Sequence, residues 1–173
     1  AYFTTKLKPK KNLLPNTYSK LHIHFVFAVK YPAALIRQEW KGVLHRDITG
    51  IFQNNGHKML QINSMPDHIH IFIGMRPHQS ISALVQNVKT KSSKCPPDRT
   101  DRCQSSKILQ RFIRLVGGYG AFSYSKSHVH DVIRYIQNQE IHHKKETFLN
   151  EYRKMLRLFE AEYDEQYIFK DLI

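Results

Sequence analysis

The segment PDHIHIFIG, residues 66–74, carries imidazoles at alternate positions. Side chains alternate across a strand, so His68 and His70 share one face while Ile69, Ile71 and Ile73 line the other. Two same-side imidazoles can anchor one divalent ion, or they can be polar trim on a half-buried strand. A second pair, His22 and His24 in LHIHFVFAVK, repeats the spacing. Ligation by both pairs would require two sites or a four-histidine site, so packing or substrate contact is the simpler reading of the first pair. His142 and His143 are adjacent on a predicted helix, where successive side chains diverge, and solvent or phosphate contact is their plain reading. Tyr135 and Gln139 are four apart, which places a phenol hydroxyl and an amide oxygen on neighbouring turns of one helix face, within reach of one ion. A packed tyrosine and a surface glutamine are the plainer alternative for that pair.

The elements that must position these groups are legible in the apolar pattern. LHIHFVFAVK reads as a strand, and Ile36 to about Asn54 as a helix ending in Asn-Asn-Gly. HKMLQINSM is a second strand, turned at Pro66-Asp67 directly into HIHIFIG as an antiparallel hairpin. SISALVQNVKTKSS is an amphipathic helix capped by Ser80, with Ile81, Leu84, Val85 and Val88 toward the core. Pro96-Pro97 opens a polar loop, and GGYGAFSYS enters a fourth strand at a sheet edge. SHVHDVIRYIQNQEIHH reads as one helix with Ser127 as its cap and Val129, Val132, Ile133 and Ile136 as its packing side. A last helix spans Lys145 to Phe159. The order strand, helix, strand, strand, helix, strand predicts an α+β fold: the split βαβ of a ferredoxin-like antiparallel sheet with additional C-terminal helices.

The 173 residues suffice for one domain with its own core. The expected division is a basic N-terminal arm, residues 1–17, and a single catalytic domain, residues 18–173. Neither a signal peptide nor a membrane span is apparent, and Cys95 and Cys103 have no further cysteine to build a disulfide scaffold, which together point to the cytoplasm. A net charge of +13 calls for an anionic partner, nucleic acid first. The charge is uneven. Residues 1–88 contain only Glu39, Asp47 and Asp67 as acids, and the stretch 89–114 is strongly basic. Phosphate contacts are therefore expected from Lys6, Lys8, Lys10 and Lys11 in the arm and from Lys89, Lys91, Lys94, Arg99 and Arg102, although a solvated face explains single lysines as well. Tyr119 and Phe122 could stack on bases or fill the core. Glu160, Glu162, Asp164, Glu165 and Asp171 keep the C-terminal tail off phosphates.

Taken as ordered blocks, the chain resembles the single-tyrosine insertion-sequence transposases of the HUH nuclease superfamily, small enzymes that move single-stranded DNA. PDHIHIFI is similar to their histidine-hydrophobic-histidine strand, GGYGAFSYSKS to their Gly-Tyr-Gly-Ala-Phe-Ser block, and VIRYIQNQEIHHKKETF to their nucleophile helix. HIHFVFAVKY and EYDEQYIF extend the likeness over roughly residues 18–170. The chain departs from the family at Leu115-Val116, where members often carry Trp-Gln, and a local packing or DNA contact is thereby in question.

The resemblance implies Tyr135 as nucleophile, with His68, His70 and Gln139 holding a divalent metal, Mg²⁺ or Mn²⁺, while two nitrogen ligands keep Zn²⁺ chemically credible. It implies cleavage and rejoining of single-stranded DNA at hairpin-bearing element ends through a 5′-phosphotyrosine, in a homodimer whose Tyr135 is donated in trans to the partner's His68/His70 site. Two alternatives remain: a domesticated tyrosine nuclease that processes chromosomal hairpin repeats, and a non-catalytic ferredoxin-like nucleic-acid-binding module.

Overall fold

The computed structural model of the chain describes residues 18–29, 36–91 and 116–168. Its centre is a four-stranded antiparallel sheet of β1 (Leu21–Val29), β2 (Lys58–Ser64), β3 (His68–Met75) and β4 (Val116–Tyr124), in the spatial order β2-β3-β1-β4. Helix α1 (Gln38–Asn54) joins β1 to β2, and α2 (Ile81–Lys91) follows β3. This is the expected α+β arrangement, with β4 at an edge as its glycine-rich sequence suggested. Ser80 caps α2 as read from the sequence, its hydroxyl accepting from the Ala83 amide at 3.2 Å.

One face of the sheet is apolar. Ile23, Phe25 and Phe27 of β1 and Ile69, Ile71 and Ile73 of β3 pack against Leu44, Ile48 and Phe52 of α1 and Leu84, Val85 and Val88 of α2. Strict alternation then commits His22 and His24 of β1, and His68 and His70 of β3, to the opposite face. That face is not solvated. Helices α3 (Val129–Gln137), α4 (Gln139–His142) and α5 (Phe148–Leu158) cover it. Val129, Val132 and Ile136 of α3 close on Phe72, while Phe148, Tyr152, Met155 and Leu156 of α5 close on Val26, Ala28 and Phe122. The histidines lie between these two apolar clusters, and β3 is buried on both sides rather than half-buried.

Three expectations are corrected in the covering layer. The segment read as one helix starts as a 3₁₀ turn at Lys126–His128 and is interrupted at Asn138. Asn63 of β2 explains the interruption: its Nδ2 donates to the Ile136 carbonyl at 2.8 Å, taking the acceptor that a continuing helix would have used. Ser127 does not cap. The Ser125 and Ser127 hydroxyls instead lie 2.8 and 3.4 Å from His128 Nδ1. The final helix also begins at Phe148 rather than Lys145. The N-terminal arm lies outside the described residues.

Gly120 on β4 sets how closely α5 approaches the sheet. A methyl group there would sit 2.7 Å from the Tyr152 hydroxyl and 2.8 Å from the Phe122 ring. Tyr152 neighbours Glu151, so the same close approach positions that carboxylate. Gly120→Ala is expected to lower stability by about 1–3 kcal/mol, the usual cost of overpacking. Chemical denaturation should show it as a fall in midpoint with an unchanged slope.

Candidate functional site

Four segments bring polar side chains to one point on the covered face. Its centre is Glu151, only 3% exposed although it lies on the apolar side of α5 between Phe148 and Tyr152. Its Oε1 accepts from the Tyr135 hydroxyl in a short hydrogen bond and from Gln139 Nε2 at 3.0 Å. His142 Nε2 lies 3.4 Å from the same oxygen. The other oxygen, Oε2, lies 3.1 Å from His143 Nε2, 3.8 Å from His70 Nε2 and 3.9 Å from His68 Nε2. Burying a carboxylate in a low-dielectric interior costs several kcal/mol unless donors or cations surround it, and this one is surrounded.

The rings are fixed from behind. His68 Nδ1 lies 2.7 Å from Asp67 Oδ1, and the ring stacks on Phe148 at a centroid distance of 4.1 Å. Burial pushes the Asp67 carboxyl up, but the hydrogen bond from His68, the nearby His68 and His143 rings and a backbone hydrogen bond together outweigh it and hold the group below the usual carboxylate range. An ionised Asp67 can only accept, so His68 donates to it from Nδ1 and turns Nε2 inward. His70 Nδ1 is 2.9 Å from Nε2 of His24, itself fully buried. Burial lowers His24 to about 3 and takes His70 well below the imidazole range, with the neighbouring histidines acting on His70 in the same direction. Both rings are thus neutral at ordinary pH.

The same surroundings hold Tyr135 as a phenol, because burial first and the Glu151 charge second push its pKa up. Burial also pushes Glu151 up, yet the close His143 imidazole and the hydrogen bonds from Tyr135 and Gln139 prevail and hold it below the usual carboxylate range. His143 shows the converse: burial lowers it, while Glu151 and the Glu146 carbonyl raise it on balance.

Eight buried side-chain nitrogen or oxygen atoms among the described residues lack a hydrogen-bond partner, and six belong here: His68 Nε2, His70 Nε2, Gln139 Oε1, His142 Nε2, His143 Nε2 and Glu151 Oε2. Buried polar groups are normally paired, so such a concentration of inward-facing acceptors fits a bound cation. Two openings reach the site. A pocket of about 320 Å³ borders Tyr124, Tyr135, His142 and Lys154, and another of about 560 Å³ borders Asp67, His143, Lys144 and Lys145.

His68, His70, Tyr135 and Gln139 are therefore brought together, the grouping that the family resemblance implied, although Tyr135 and Gln139 lie on successive helices. His24 supports His70, and His22 packs near Phe72, in agreement with a packing role for the first pair. One reading changes. His142 and His143 do converge, because the turn after α4 folds both toward Glu151. Tyr135 lies beside its own chain's His70, with ring centroids 5.8 Å apart. Phe122 is core, and Tyr119 is half-exposed on the apolar-helix face against Phe25 and Phe27, away from the histidines. Lys89 and Lys91 belong to α2, whereas Lys94, Arg99, Arg102, the arm lysines and Leu115 fall outside the described residues. Glu151 escapes the reading of motifs. Its signal is an acid at the buried spacing of Phe148, Tyr152 and Met155 in an otherwise amphipathic helix.

A model of IS200-like transposases matches residues 17–139. The transposase TnpA of ISDra2 from Deinococcus radiodurans is 28% identical over 75 residues, which are 43% of this chain and 54% of that protein. The chain thus spans about half the length of the curated relative it matches. A crystal structure from Deinococcus radiodurans, assigned as a transposase, shares the fold with a TM-score of 0.50 and 20% identity, covering 75% of this chain and 98% of that one.

Replacing His24 with phenylalanine keeps a ring in the cluster but strands His70 Nδ1. His24→Phe is expected to cost about 1–3 kcal/mol, the penalty of an unpaired buried polar group, measured by urea unfolding of the metal-free chain.

Proposed function

This chain belongs to the IS200-like transposase family, and from that premise we propose that it cleaves and rejoins single-stranded DNA at hairpin-bearing element ends through a 5′-phosphotyrosine on Tyr135. The observation that carries the reading is the meeting of the Tyr135 hydroxyl and the bare Nε2 atoms of His68 and His70 around one buried carboxylate.

The unpaired inward atoms of His68, His70 and Gln139 suit a divalent cation, Mg²⁺ or Mn²⁺, which when bound polarises a non-bridging phosphate oxygen and offsets charge developing at phosphorus. The chain's own groups do the rest. Tyr135 oxygen attacks the scissile phosphate as Glu151 Oε1, already its hydrogen-bond acceptor, takes the phenolic proton. A P–O bond to Tyr135 forms as the bond from phosphorus to the 3′ oxygen breaks, that oxygen takes up a proton from solvent to leave as a hydroxyl, and a second DNA 3′-OH later reverses the step at a new junction. The bond energy is conserved in the adduct, so neither ATP nor a ligase is required. Exposed Lys144 and Lys145 at the wider opening supply positive charge for the flanking phosphates.

Each chain carries one such nucleophile, and joining two ends takes two, which favours a homodimer. Trans donation of Tyr135 would move α3 from Phe72 of its own chain to the equivalent Phe72 of the other, a swap of identical contacts with little net change in burial.

The test incubates the chain with labelled single-stranded hairpin DNA and Mg²⁺ or Mn²⁺. A denaturation-resistant adduct is expected, abolished by chelator, reduced at least about 10³-fold in Tyr135→Phe and retained in Tyr119→Phe. An undiminished adduct in Tyr135→Phe would refute the assignment. DNA binding with no adduct under any metal would favour the non-catalytic module. Dispersed hairpin repeats in the genome, without matching ends flanking the coding region, would favour the domesticated nuclease.

A further inference from the structure

We propose that His143 and Glu151 ligate the same cation as His68 and His70, so that the metal centre of this chain is a three-imidazole, one-carboxylate site rather than two imidazoles and an amide. This rests on the metal-dependent reading above and extends it to residues that the spacing of the chain did not single out.

The four donor atoms all lie within 4.8 Å of one another. Glu151 Oε2 stands 3.1, 3.8 and 3.9 Å from the three imidazole Nε2 atoms. Ligands bound at about 2.1 Å are about 3.0 Å apart when cis in an octahedron, about 3.4 Å apart in a tetrahedron and about 4.2 Å apart when trans, so the three carboxylate–imidazole separations fall between the cis and trans limits of one coordination sphere. Hydrogen bonding behind the rings agrees. His143 Nδ1 lies 3.0 Å from the Glu146 carbonyl, which can only accept, so Nδ1 carries a proton. His68 Nδ1 is likewise committed to Asp67. Those two Nε2 atoms and the Glu151 carboxylate then face one another as acceptors, an arrangement that one shared cation satisfies.

Gln139 takes a different part. Its Nε2 donates to Glu151 Oε1, which orients the carboxylate so that Oε2 faces the imidazoles. Such partners behind a ligand fix its direction and tune the ion. Three imidazoles with one carboxylate suit a borderline ion of the Mn²⁺ or Zn²⁺ type better than Mg²⁺, which prefers oxygen donors. The Glu151 carboxylate would then link the two halves of the site, with Oε2 on the ion and Oε1 on the Tyr135 hydroxyl.

The full chain, freed of metal by chelator, is titrated with Mn²⁺ by calorimetry. Glu151→Gln and His143→Gln are each expected to weaken binding about 10-fold or more, and Tyr119→Phe, on the opposite face of the sheet, to change it less than about 2-fold. Pulsed electron paramagnetic resonance of the unsubstituted chain loaded with Cu²⁺ needs no variant to fold, and three coordinated imidazoles are expected. Unchanged Mn²⁺ affinity in both variants, or two imidazoles, with binding still lost in His68→Ala, would overturn the inference and leave the metal reading standing. Failure of the unsubstituted chain to bind Mn²⁺ would overturn both.

Discussion

A carboxylate enclosed by protein is stable only where its charge is answered at close range, and Glu151 imposes that requirement on everything around it. It sits at a position of α5 that faces the sheet, flanked by Phe148 and Tyr152. Its near neighbours among the described residues are four histidines, a tyrosine and a glutamine, with no lysine or arginine paired to it. Imidazoles, an amide and a phenol answer a charge less fully than a guanidinium does. What they offer instead is an opening for a cation, and this makes the burial intelligible as a binding site rather than as a stabilising ion pair.

The fold satisfies the requirement by covering the polar face of the sheet. Isoleucines and phenylalanines at alternate positions pin β1 and β3 to α1 and α2, which leaves the histidines no other direction. Gly120 then lets Tyr152 come close to β4 and brings α5 down over the rings, while Asn63 ends α3 and turns Gln139 inward. Each device is local. Together they place the Tyr135 hydroxyl and the imidazole nitrogens around one side chain, the preorganisation that the proposed phosphoryl transfer calls for when the attacking phenol is weak. The raised pKa of Tyr135 belongs to the same arrangement: burial and the neighbouring carboxylate keep it a phenol.

Much of this is legible in the amino-acid sequence. The strand order, the shared face of His68 and His70, and the Ser80 cap follow from period and local chemistry, which neighbours in space do not alter. The interruption at Asn138 does not follow, because its cause is Asn63, seventy-three residues away from the carbonyl it binds. The convergence of His142 and His143 is hidden for a related reason: adjacent residues diverge on a continuous helix, but here they straddle its end. Glu151 is written in the pattern as an acid at a buried position, yet only the packed structure says which groups it meets. Trans donation of Tyr135 comes from the family resemblance, and the single chain already joins tyrosine and histidines.

The central claim is that the Tyr135 oxygen becomes bonded to DNA phosphorus. Its most direct measurement is tandem mass spectrometry of the protein after reaction with single-stranded hairpin DNA and Mn²⁺, followed by nuclease and protease digestion. The account predicts one nucleotide-modified peptide, with the phosphodiester on Tyr135. Modification confined to another tyrosine, or a cleaved DNA with no covalent protein product, would contradict it.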